Sequence, residues 1–285
     1  MTPDPAASPV EREPGPDAGL LRVDPASTGS KGSRVFGIVL LVASGLFLAD
    51  ALIWSPPDSG PNASENAMGE LVRIMYVHVP MAIGCYLAFM VTAVTSAIYL
   101  WKRTEGWDML AAASAEVGVV FTGLTLVTGS IWGQIAWGSY WEWDARLTST
   151  LLMFVIYLGY LALRAAVLDP VVRAKRAAIV GLIAFVNVPI VHFSVNWWRS
   201  LHQDATISRF DPTIDGPKLF ALMFGMVLAV GIYVWFMIHR FRVQYMAAQL
   251  EAKGLDLAIA ERRAEAEANG PVAGAPLVGS PEGSL

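Results

Sequence analysis

The sequence predicts an all-α, polytopic membrane protein with six transmembrane helices. Its 285 residues are 55% hydrophobic and only 15% charged, whereas a soluble domain has about 25% charged residues. Six apolar segments have about the length that crosses the roughly 30 Å hydrocarbon core of a bilayer as a helix. Each must be helical there, because an isolated strand cannot satisfy its backbone hydrogen bonds in lipid. The segments are Phe36–Trp54, Val79–Trp101, Met109–Ile131, Leu147–Val167, Ala177–Val195 and Lys218–Ile238.

Composition divides the chain into three regions. Residues 1–33 are rich in Pro, Ala, Gly and acidic residues and have no early apolar stretch, so we expect a disordered cytoplasmic tail rather than a signal peptide. Residues 34–242 hold the six apolar segments. Residues 243–285 begin as a charged, Ala- and Glu-rich stretch, which predicts a helix extending into the cytoplasm, followed from about Gly270 by a disordered Gly/Pro-rich tail.

Lysine and arginine residues near the segment ends predict the orientation. One set of ends carries about twice as many of them as the other, and cytoplasmic loops carry the excess in membrane proteins. Both termini are therefore predicted to be cytoplasmic. The three polar loops, residues 55–78, 132–146 and 196–217, then lie together on the external face, and most of the tryptophans lie there too.

The second external loop, residues 132–146, is rich in tryptophan. Tryptophan suits a membrane–water interface, because its ring is apolar while its indole N–H can stay wet. One or two per helix end would be ordinary anchors, but four in one loop, followed by an acid and a base, predict a flat aromatic platform for a large planar ligand with polar edges. The four are Trp132, Trp137, Trp141 and Trp143.

Histidine is the best candidate for binding a metal centre here. His78 and His202 fall on the predicted external face, on either side of the tryptophans in sequence. Imidazole is a good ligand for haem iron, so the pair would supply both axial positions. The alternative for each is a structural role. His192 lies slightly deeper among apolar neighbours, which predicts a partly buried, hydrogen-bonded side chain.

Charged residues on the same face have two interpretations. Arg73, Arg146 and Arg199 would pair with carboxylates on a ligand, because the guanidinium fork matches a carboxylate; each would otherwise bind Glu70, Asp144 or a lipid phosphate. Asp144 would close the loop, or accept a proton from an indole or imidazole. Glu116 is costly inside the third segment, and is expected to pair with Asn187 or to bind a proton.

Several function classes are excluded. The net charge of −4 argues against nucleic acid as a partner. The single cysteine, Cys85, and the absence of C-x-x-C exclude a dithiol oxidoreductase and a c-type cytochrome. No phosphate-binding G-x-x-x-x-G-K-[ST] loop occurs, so another subunit would have to bind any ATP that is used.

Three motifs, in matching order, resemble the tryptophan-rich haem-handling proteins of cytochrome c maturation. The resemblance runs from about Phe36 to Arg242 and leaves out both tails. Tyr140 and Glu142 depart from it, where tryptophan and an apolar residue are common. The motifs are Trp137-Gly-Ser-Tyr-Trp-Glu-Trp-Asp144, whose continuation Ala145-Arg-Leu-Thr-Ser149 is similar to the haem exporter C branch of the family, Tyr76-Val-His78-Val-Pro80, and Phe193-Ser-Val-Asn-Trp-Trp-Arg-Ser-Leu-His202-Gln203.

The resemblance implies a haem-binding subunit that is not an enzyme. It implies that His78 and His202 are the axial ligands of haem b, which is held non-covalently and transiently on the periplasmic face of the bacterial inner membrane. A haem chaperone would receive the haem. ABC transporter subunits, a small single-helix membrane protein and membrane lipids would be the other partners.

Two alternatives from other classes remain at this point. A bis-histidine electron-transfer protein would place histidines within the helices, stacked across the bilayer. A small-solute permease would have broken helices and polar groups at the midplane, where only Glu116 and Asn187 are candidates.

Overall fold

The protein is a bundle of helices. The computed structural model describes residues 29–57, 69–202 and 216–268, and no strand occurs in these ranges. Six spans are long and apolar enough to cross a membrane, which confirms the predicted all-α, multi-pass fold. The helices are α1 (Lys31–Ala49), which continues as a π-helical turn (Asp50–Trp54), α2 (Val72–Lys102), α3 (Glu105–Trp137), α4 (Ala145–Ala166), α5 (Pro170–Phe185), α6 (Asn187–Trp197) and α7 (Gly216–Ala268).

The helices are longer than the apolar segments that predicted them. The largest difference is at α3, which runs to Trp137, so Trp132 and Trp137 lie in a helix and not in the predicted loop 132–146. No helix breaker occurs before Gly138, whose φ of 78° ends α3 while its N–H bonds the carbonyl of Gln134. The loop is therefore limited to residues 138–144.

The chain ends lie partly outside the described residues. Helix α1 begins at Lys31, inside the segment expected to be N-terminal tail, and residues 1–28 are not described. Helix α7 continues past Arg242 to Ala268, a stretch about 39 Å long at 1.5 Å per residue, and is exposed from Gln249 to Glu267. The predicted Gly/Pro-rich tail, residues 270–285, lies outside the described residues.

The fifth span is two helices, α5 and α6, which meet at Val186. Pro189 lies in the first turn of α6 and has no N–H, so the carbonyl of Phe185 loses its usual partner four residues later. At the other end, Asp169 caps α5, accepting a 2.9 Å hydrogen bond from the backbone N–H of Val172.

Helices α2 and α3 form a tightly packed antiparallel pair. A Cβ placed at Gly84 of α2 would lie 2.6 Å from the ring of Phe121, and one at Gly118 of α3 would lie 2.5 Å from the ring of Phe89. Each helix therefore receives an aromatic ring of the other directly against its backbone. Phe89 also stacks on Tyr157 of α4, with ring centres 3.5 Å apart, which joins α4 to the pair.

Helix α7 closes the bundle against the same pair. Its Tyr233 hydroxyl lies 2.7 Å from the hydroxyl of Ser114 in α3. Nearer the start of α7, a Cβ at Gly225 would lie 2.7 Å from the carbonyl oxygen of Tyr76. That carbonyl lies one turn before Pro80, which cannot donate to it, so the glycine allows close approach to a freed backbone group.

The half of the bundle opposite the 138–144 loop holds one largely buried ion pair and one partly exposed ion pair among the described residues. Asp108 of α3 accepts two hydrogen bonds from Arg164 of α4, at 2.5 and 2.8 Å, and both side chains are largely buried. Glu116 pairs with Arg240 of α7 and also accepts from Gln244 at 3.2 Å. The pairing expected between Glu116 and Asn187 is therefore wrong, and the reason is that α7 runs antiparallel to α3 and brings a cation to that depth.

Asn187 has a different partner. Its side-chain amide donates a 3.0 Å hydrogen bond to the carbonyl of Ser149 in α4. A polar side chain at the break between α5 and α6 is thus satisfied by a backbone group, which is how buried amides are normally accommodated.

Candidate functional site

The two candidate iron ligands lie together at one end of the bundle, here called the histidine end, where α2 begins and α3 ends. The ring centres of His78 and His202 are 6.5 Å apart, with 31° between the ring planes. Two imidazoles on one metal ion would have ring centres about 6 Å apart, allowing bonds of about 2 Å and about 1 Å from each nitrogen to its ring centre. The spacing therefore fits two axial ligands of one iron.

The first histidine is held in a defined hydrogen-bonded form. The Nδ1 atom of His78 lies 3.0 Å from the hydroxyl oxygen of Thr128. That hydroxyl donates its only proton to the carbonyl of Leu124, at 2.8 Å, so its oxygen accepts the Nδ1–H of His78. Nε2 is therefore the nitrogen with a free lone pair, as a metal ligand requires.

Helix α3 also shapes the space around His78. A Cβ at Gly129 would lie 2.9 Å from Cε1 of His78, so only glycine lets the ring lie this close to the helix. One turn later, the ring of Trp132 meets His78 edge-to-face, with centres 5.5 Å apart. Sequence reasoning missed Thr128 and Gly129, although their position one turn before Trp132 in an apolar helix was an available signal.

Trp132 and Trp137 face the second histidine. Each ring centre lies 6.5 Å from that of His202. The indole N–H of Trp132 is buried and has no hydrogen-bond partner among the described residues. Buried donors are normally paired, so this N–H is available to a polar group of a ligand that enters beside the histidines.

Trp141 and Trp143 form a separate pair in the 138–144 loop. Their rings meet edge-to-face at 84°, with centres 5.8 Å apart, and Trp143 is 79% exposed. The expectation of one flat platform of four indoles is therefore wrong. Two of the four are fixed by α3 beside His202, while the other two lie in the loop that follows Gly138, where Trp141 is half-buried and Trp143 is exposed.

Asp144 ties the His202 segment to the start of α4. One carboxylate oxygen caps the helix, accepting from the N–H groups of Arg146 at 2.8 Å and Leu147 at 3.4 Å. The other accepts from the N–H of Leu201 at 2.8 Å. Burial raises the pKa of the Asp144 carboxyl, but the Ser200 hydroxyl and these three N–H groups outweigh burial, and the pKa of Asp144 is lowered.

Arg146 reaches from α4 into the same site. One of its terminal nitrogens lies 3.3 Å from Nδ1 of His202, and the other donates a 2.9 Å hydrogen bond to the carbonyl of His192. The arginine thus contacts a candidate ligand directly. Of the three arginines suggested by the sequence, this is the one that the structure brings to the histidines.

Neither of the other two arginines has a hydrogen bond to His78 or His202 among the described residues. Arg73 donates a 2.5 Å hydrogen bond to Glu70 and a 2.6 Å hydrogen bond to the carbonyl of Ala51, which is the salt-bridge alternative that the sequence left open. Arg199 is exposed, and no hydrogen bond or ion pair joins it to another described residue. Arg73 would bind a ligand only after giving up these two hydrogen bonds, and ligand binding by Arg199 stays a prediction.

His192 differs from expectation. Its side chain is exposed, contacting the rings of Tyr86 and Phe193, because α6 turns this position outward. The prediction that the His192 side chain is partly buried and hydrogen-bonded is therefore wrong.

Among the described residues no group of three or more His, Cys, Asp or Glu side chains could hold a metal ion. Two histidines alone suit an iron whose other ligands come with the haem better than a bare ion such as zinc, which needs three or four protein ligands.

Comparison with known proteins agrees with this chemistry. A sequence model of the family described as "Heme exporter protein C" matches residues 29–255. The Haemophilus influenzae protein named "Heme exporter protein C" is 38% identical over 218 residues, which are 75% of this chain and 85% of that protein. The Escherichia coli (strain K12) protein of the same name is 39% identical over 194 residues, 66% of this chain and 76% of that protein.

A more distant organism has a similar chain. The Marchantia polymorpha protein named "Putative cytochrome c biosynthesis ccmC-like mitochondrial protein" is 40% identical over 174 residues, 61% of this chain and 70% of that protein. These relatives are named for haem export and cytochrome c biosynthesis, not for an enzymatic activity.

Replacing Asp144 with asparagine should loosen the His202 segment. An asparagine side chain at this position keeps one acceptor oxygen, so it serves the start of α4 or the N–H of Leu201, but not both. We expect hydrogen exchange at the Leu201 amide to become faster by about tenfold or more, as for a lost hydrogen bond to a charged group. Unchanged exchange at Leu201 would contradict the role given to Asp144.

The contribution of Asp144 to the free energy of unfolding depends on pH, and its sign follows from the direction of the pKa shift. Because the native pKa of Asp144 is lowered, its stabilisation is complete above the ordinary value of about 3.9 and is lost as the pH falls through the native pKa. The Asp144→Asn protein should lack this acid-dependent step. Asp169→Asn, at a helix cap of the opposite end, is the matched control and should leave Leu201 exchange unchanged.

Proposed function

Because the chain belongs to the heme exporter protein C family, we propose that it binds haem b transiently at His78 and His202 and presents it on the periplasmic face of the bacterial inner membrane. The observation that carries the proposal is the pairing of these two imidazoles, 6.5 Å apart, at the end of the bundle that also holds Trp132 and Arg146. An iron with two free axial positions and a planar, carboxylate-bearing ring matches that set of groups.

Haem is a cargo in this proposal, and the residues of the chain bind, orient and release it. His78 offers Nε2 directly, because Thr128 holds the proton on Nδ1. Trp132 and Trp137 provide apolar faces beside His202, and each indole covers roughly 150–250 Å² when fully buried. Arg146 and the unpaired indole N–H of Trp132 are the groups suited to the carboxylates.

Handover would use the two tryptophans of the loop. Trp141 and Trp143 lie between the end of α3 and Asp144, where Trp141 is half-buried and Trp143 is 79% exposed. Exposed tryptophans at the centre of a contact contribute much of the binding energy in protein interfaces. We propose that this pair contacts the haem chaperone of cytochrome c maturation, while ABC transporter subunits and a small single-helix partner bind the bundle within the membrane.

The two alternative functions are less well supported. An electron-transfer protein would stack its haem ligands across the bilayer, but His78 and His202 share one end of the bundle. A permease would use its broken helix for a polar site near the midplane. The break between α5 and α6 exists, but its polar side chain, Asn187, is already bonded to the carbonyl of Ser149.

Alanine substitutions test the two ligands. His78→Ala and His202→Ala should each abolish the two-histidine absorption spectrum of the haem-loaded protein. The amount of haem retained through purification should fall by at least about tenfold, since even residues that only orient metal ligands change affinity by 10–100-fold. His192→Ala is the matched control, because its exposed side chain is turned away. A two-histidine spectrum that survives in both test variants, or is lost only with His192→Ala, would sink the assignment.

Accessibility of single cysteines tests the orientation. The native Cys85 is buried, so it gives little background labelling. Glu142→Cys, at an exposed position of the 138–144 loop, should react with an impermeant thiol reagent on intact spheroplasts. Leu168→Cys, 88% exposed between α4 and α5 at the opposite end, should react only after lysis. The reverse pattern would place the histidine end in the cytoplasm.

Removal of the loop tryptophans tests the handover surface. The double variant Trp141→Ala, Trp143→Ala should co-purify with less than about a tenth of the haem-loaded chaperone bound by the wild type, which corresponds to about 1.4 kcal/mol or more and is ordinary for two interface tryptophans. Trp101→Ala, 82% exposed at the opposite end of α2, is the control. Wild-type recovery of the chaperone at matched membrane levels would leave the pair as interfacial anchors.

A further inference from the structure

We propose that residues 20–23, an apolar group in the segment before α1, dock on an exposed stripe of α7 formed by Val243, Leu250 and Leu257. The docking would join the segment before α1 to the last part of α7, at the end of the bundle opposite the histidine end. The residues involved are not those that would bind haem, so the inference goes beyond the proposed function and does not depend on it.

The stripe is a row of apolar side chains on one face of α7. Val243, Leu250 and Leu257 follow one another at intervals of seven residues, and residues seven apart share a face because two helical turns take 7.2 residues. All three are exposed, Leu250 to 71%. A contiguous exposed apolar row of this kind is typical of an interaction surface.

Lipid does not account for the stripe. Helix α7 has 53 residues and is about 80 Å long, whereas the hydrocarbon core of a bilayer is about 30 Å thick. The apolar part of the helix ends at Ile238, and Arg240 and Arg242 follow. Leu257 lies about 22 Å beyond Arg242 along the helix. The group that covers the stripe must therefore come from the aqueous side of the membrane.

A second copy of α7 would fit the stripe poorly. Two copies with the same orientation in one membrane can pair these projecting helices only in parallel. With Leu250 and Leu257 in the seam of such a pair, Asp256 of each helix flanks the seam opposite Glu261 of the other. Like charges would then meet on both sides of the seam, which disfavours this occupant.

The start of α1 lies beside the beginning of the stripe. Arg242 donates hydrogen bonds to the hydroxyls of Ser33, at 3.1 Å, and Ser30, at 3.5 Å. The indole N–H of Trp235 donates to the carbonyl of Ser33 at 3.3 Å. The chain that precedes Ser30 is therefore anchored next to Val243, and a tether of this kind gives an attached segment a high effective concentration at a nearby surface.

One part of residues 1–28 is suited to an apolar surface. Leu20, Leu21 and Val23 stand together between Pro16 and Pro25, in the longest proline-free stretch of those residues. Proline lacks an N–H and restricts the residue before it, so a stretch without it can adapt its backbone to a surface. The sequence thus offers one compact apolar group on the chain that leads into α1.

The reach of this group matches the position of the stripe. Val23 lies six residues before Gly29 and Leu20 lies nine residues before it, so an extended chain brings them as far as about 20 and 30 Å from Gly29. Leu250 and Leu257 lie about 12 and 22 Å beyond Arg242 along α7. Both leucines are therefore within reach of the segment in the same molecule.

Disulfide formation between paired cysteines tests the docking in the purified full-length protein. Lys253 lies on the side of the stripe and Ala252 on the other side of α7, and both are exposed. Under mild oxidation, Arg22→Cys with Lys253→Cys should form an intramolecular disulfide about tenfold faster than Arg22→Cys with Ala252→Cys, which has the same reach. The native Cys85 is buried and adds little background. Equal rates in the two pairs, or equally fast disulfide-linked dimers of the single variant Lys253→Cys, would overturn the proposal.

Hydrogen exchange tests the apolar contact without added cysteines. The triple variant Leu20→Gln, Leu21→Gln, Val23→Gln should speed exchange at the amides of residues 246–260 by about tenfold, the ratio given by a segment that is docked about nine-tenths of the time. Val10→Gln, in the same segment of the chain, is the matched control and should exchange as the wild type does. Wild-type exchange in the triple variant, or equally fast exchange in the control, would overturn the docking, whatever the haem spectra show.

Discussion

The close contact of α2 with α3 is the constraint on which the rest of the structure depends. Two glycines, Gly84 and Gly118, let aromatic rings of the facing helix lie directly on the backbone, so the register of the pair is fixed by shape. That register places His78 against Thr128. A shift of one residue along either helix, about 1.5 Å, would part the imidazole from the hydroxyl that sets its tautomer. Packing near the middle of the bundle therefore decides the chemistry at its end.

The two ends of the bundle are held by different forces. At one end, Asp108 and Arg164 form a buried, bidentate ion pair, and buried pairs are costly to break because each leaves an uncompensated charge behind. At the histidine end the described contacts include rings packed edge-to-face, hydroxyls on backbone carbonyls, the helix cap of Asp144, and the ion pair of Arg73 with the exposed Glu70. Such contacts are individually modest, about 1 kcal/mol each. This division would suit the proposed function, in which one end of the bundle admits and releases haem while the helices stay together.

The sequence was sufficient for those features that depend on local composition. Six spans follow from apolar length, and the alternation of helices brings His78 and His202 to one end whichever way the bundle is oriented. The extent of α3 was less accessible, because tryptophan fits a helix and an interface loop equally well and only the Gly138 backbone settles the boundary. The partner of Glu116 could not be predicted, since it depends on how α7 lies against α3. The tautomer of His78 depends on a hydrogen bond to Thr128 across two helices, which no pattern in the sequence records.

The sealed position of Cys85 has a consequence for the redox chemistry around this protein. Its thiol is 1% exposed between α2 and α3 and donates to the carbonyl of Ala82, and it is the single cysteine in the sequence. Disulfide exchange requires an accessible thiolate. The chain therefore offers no accessible thiol for disulfide exchange with oxidants or with the cysteine thiols of other proteins. Haem bound as proposed would therefore form no covalent bond to a cysteine of this chain.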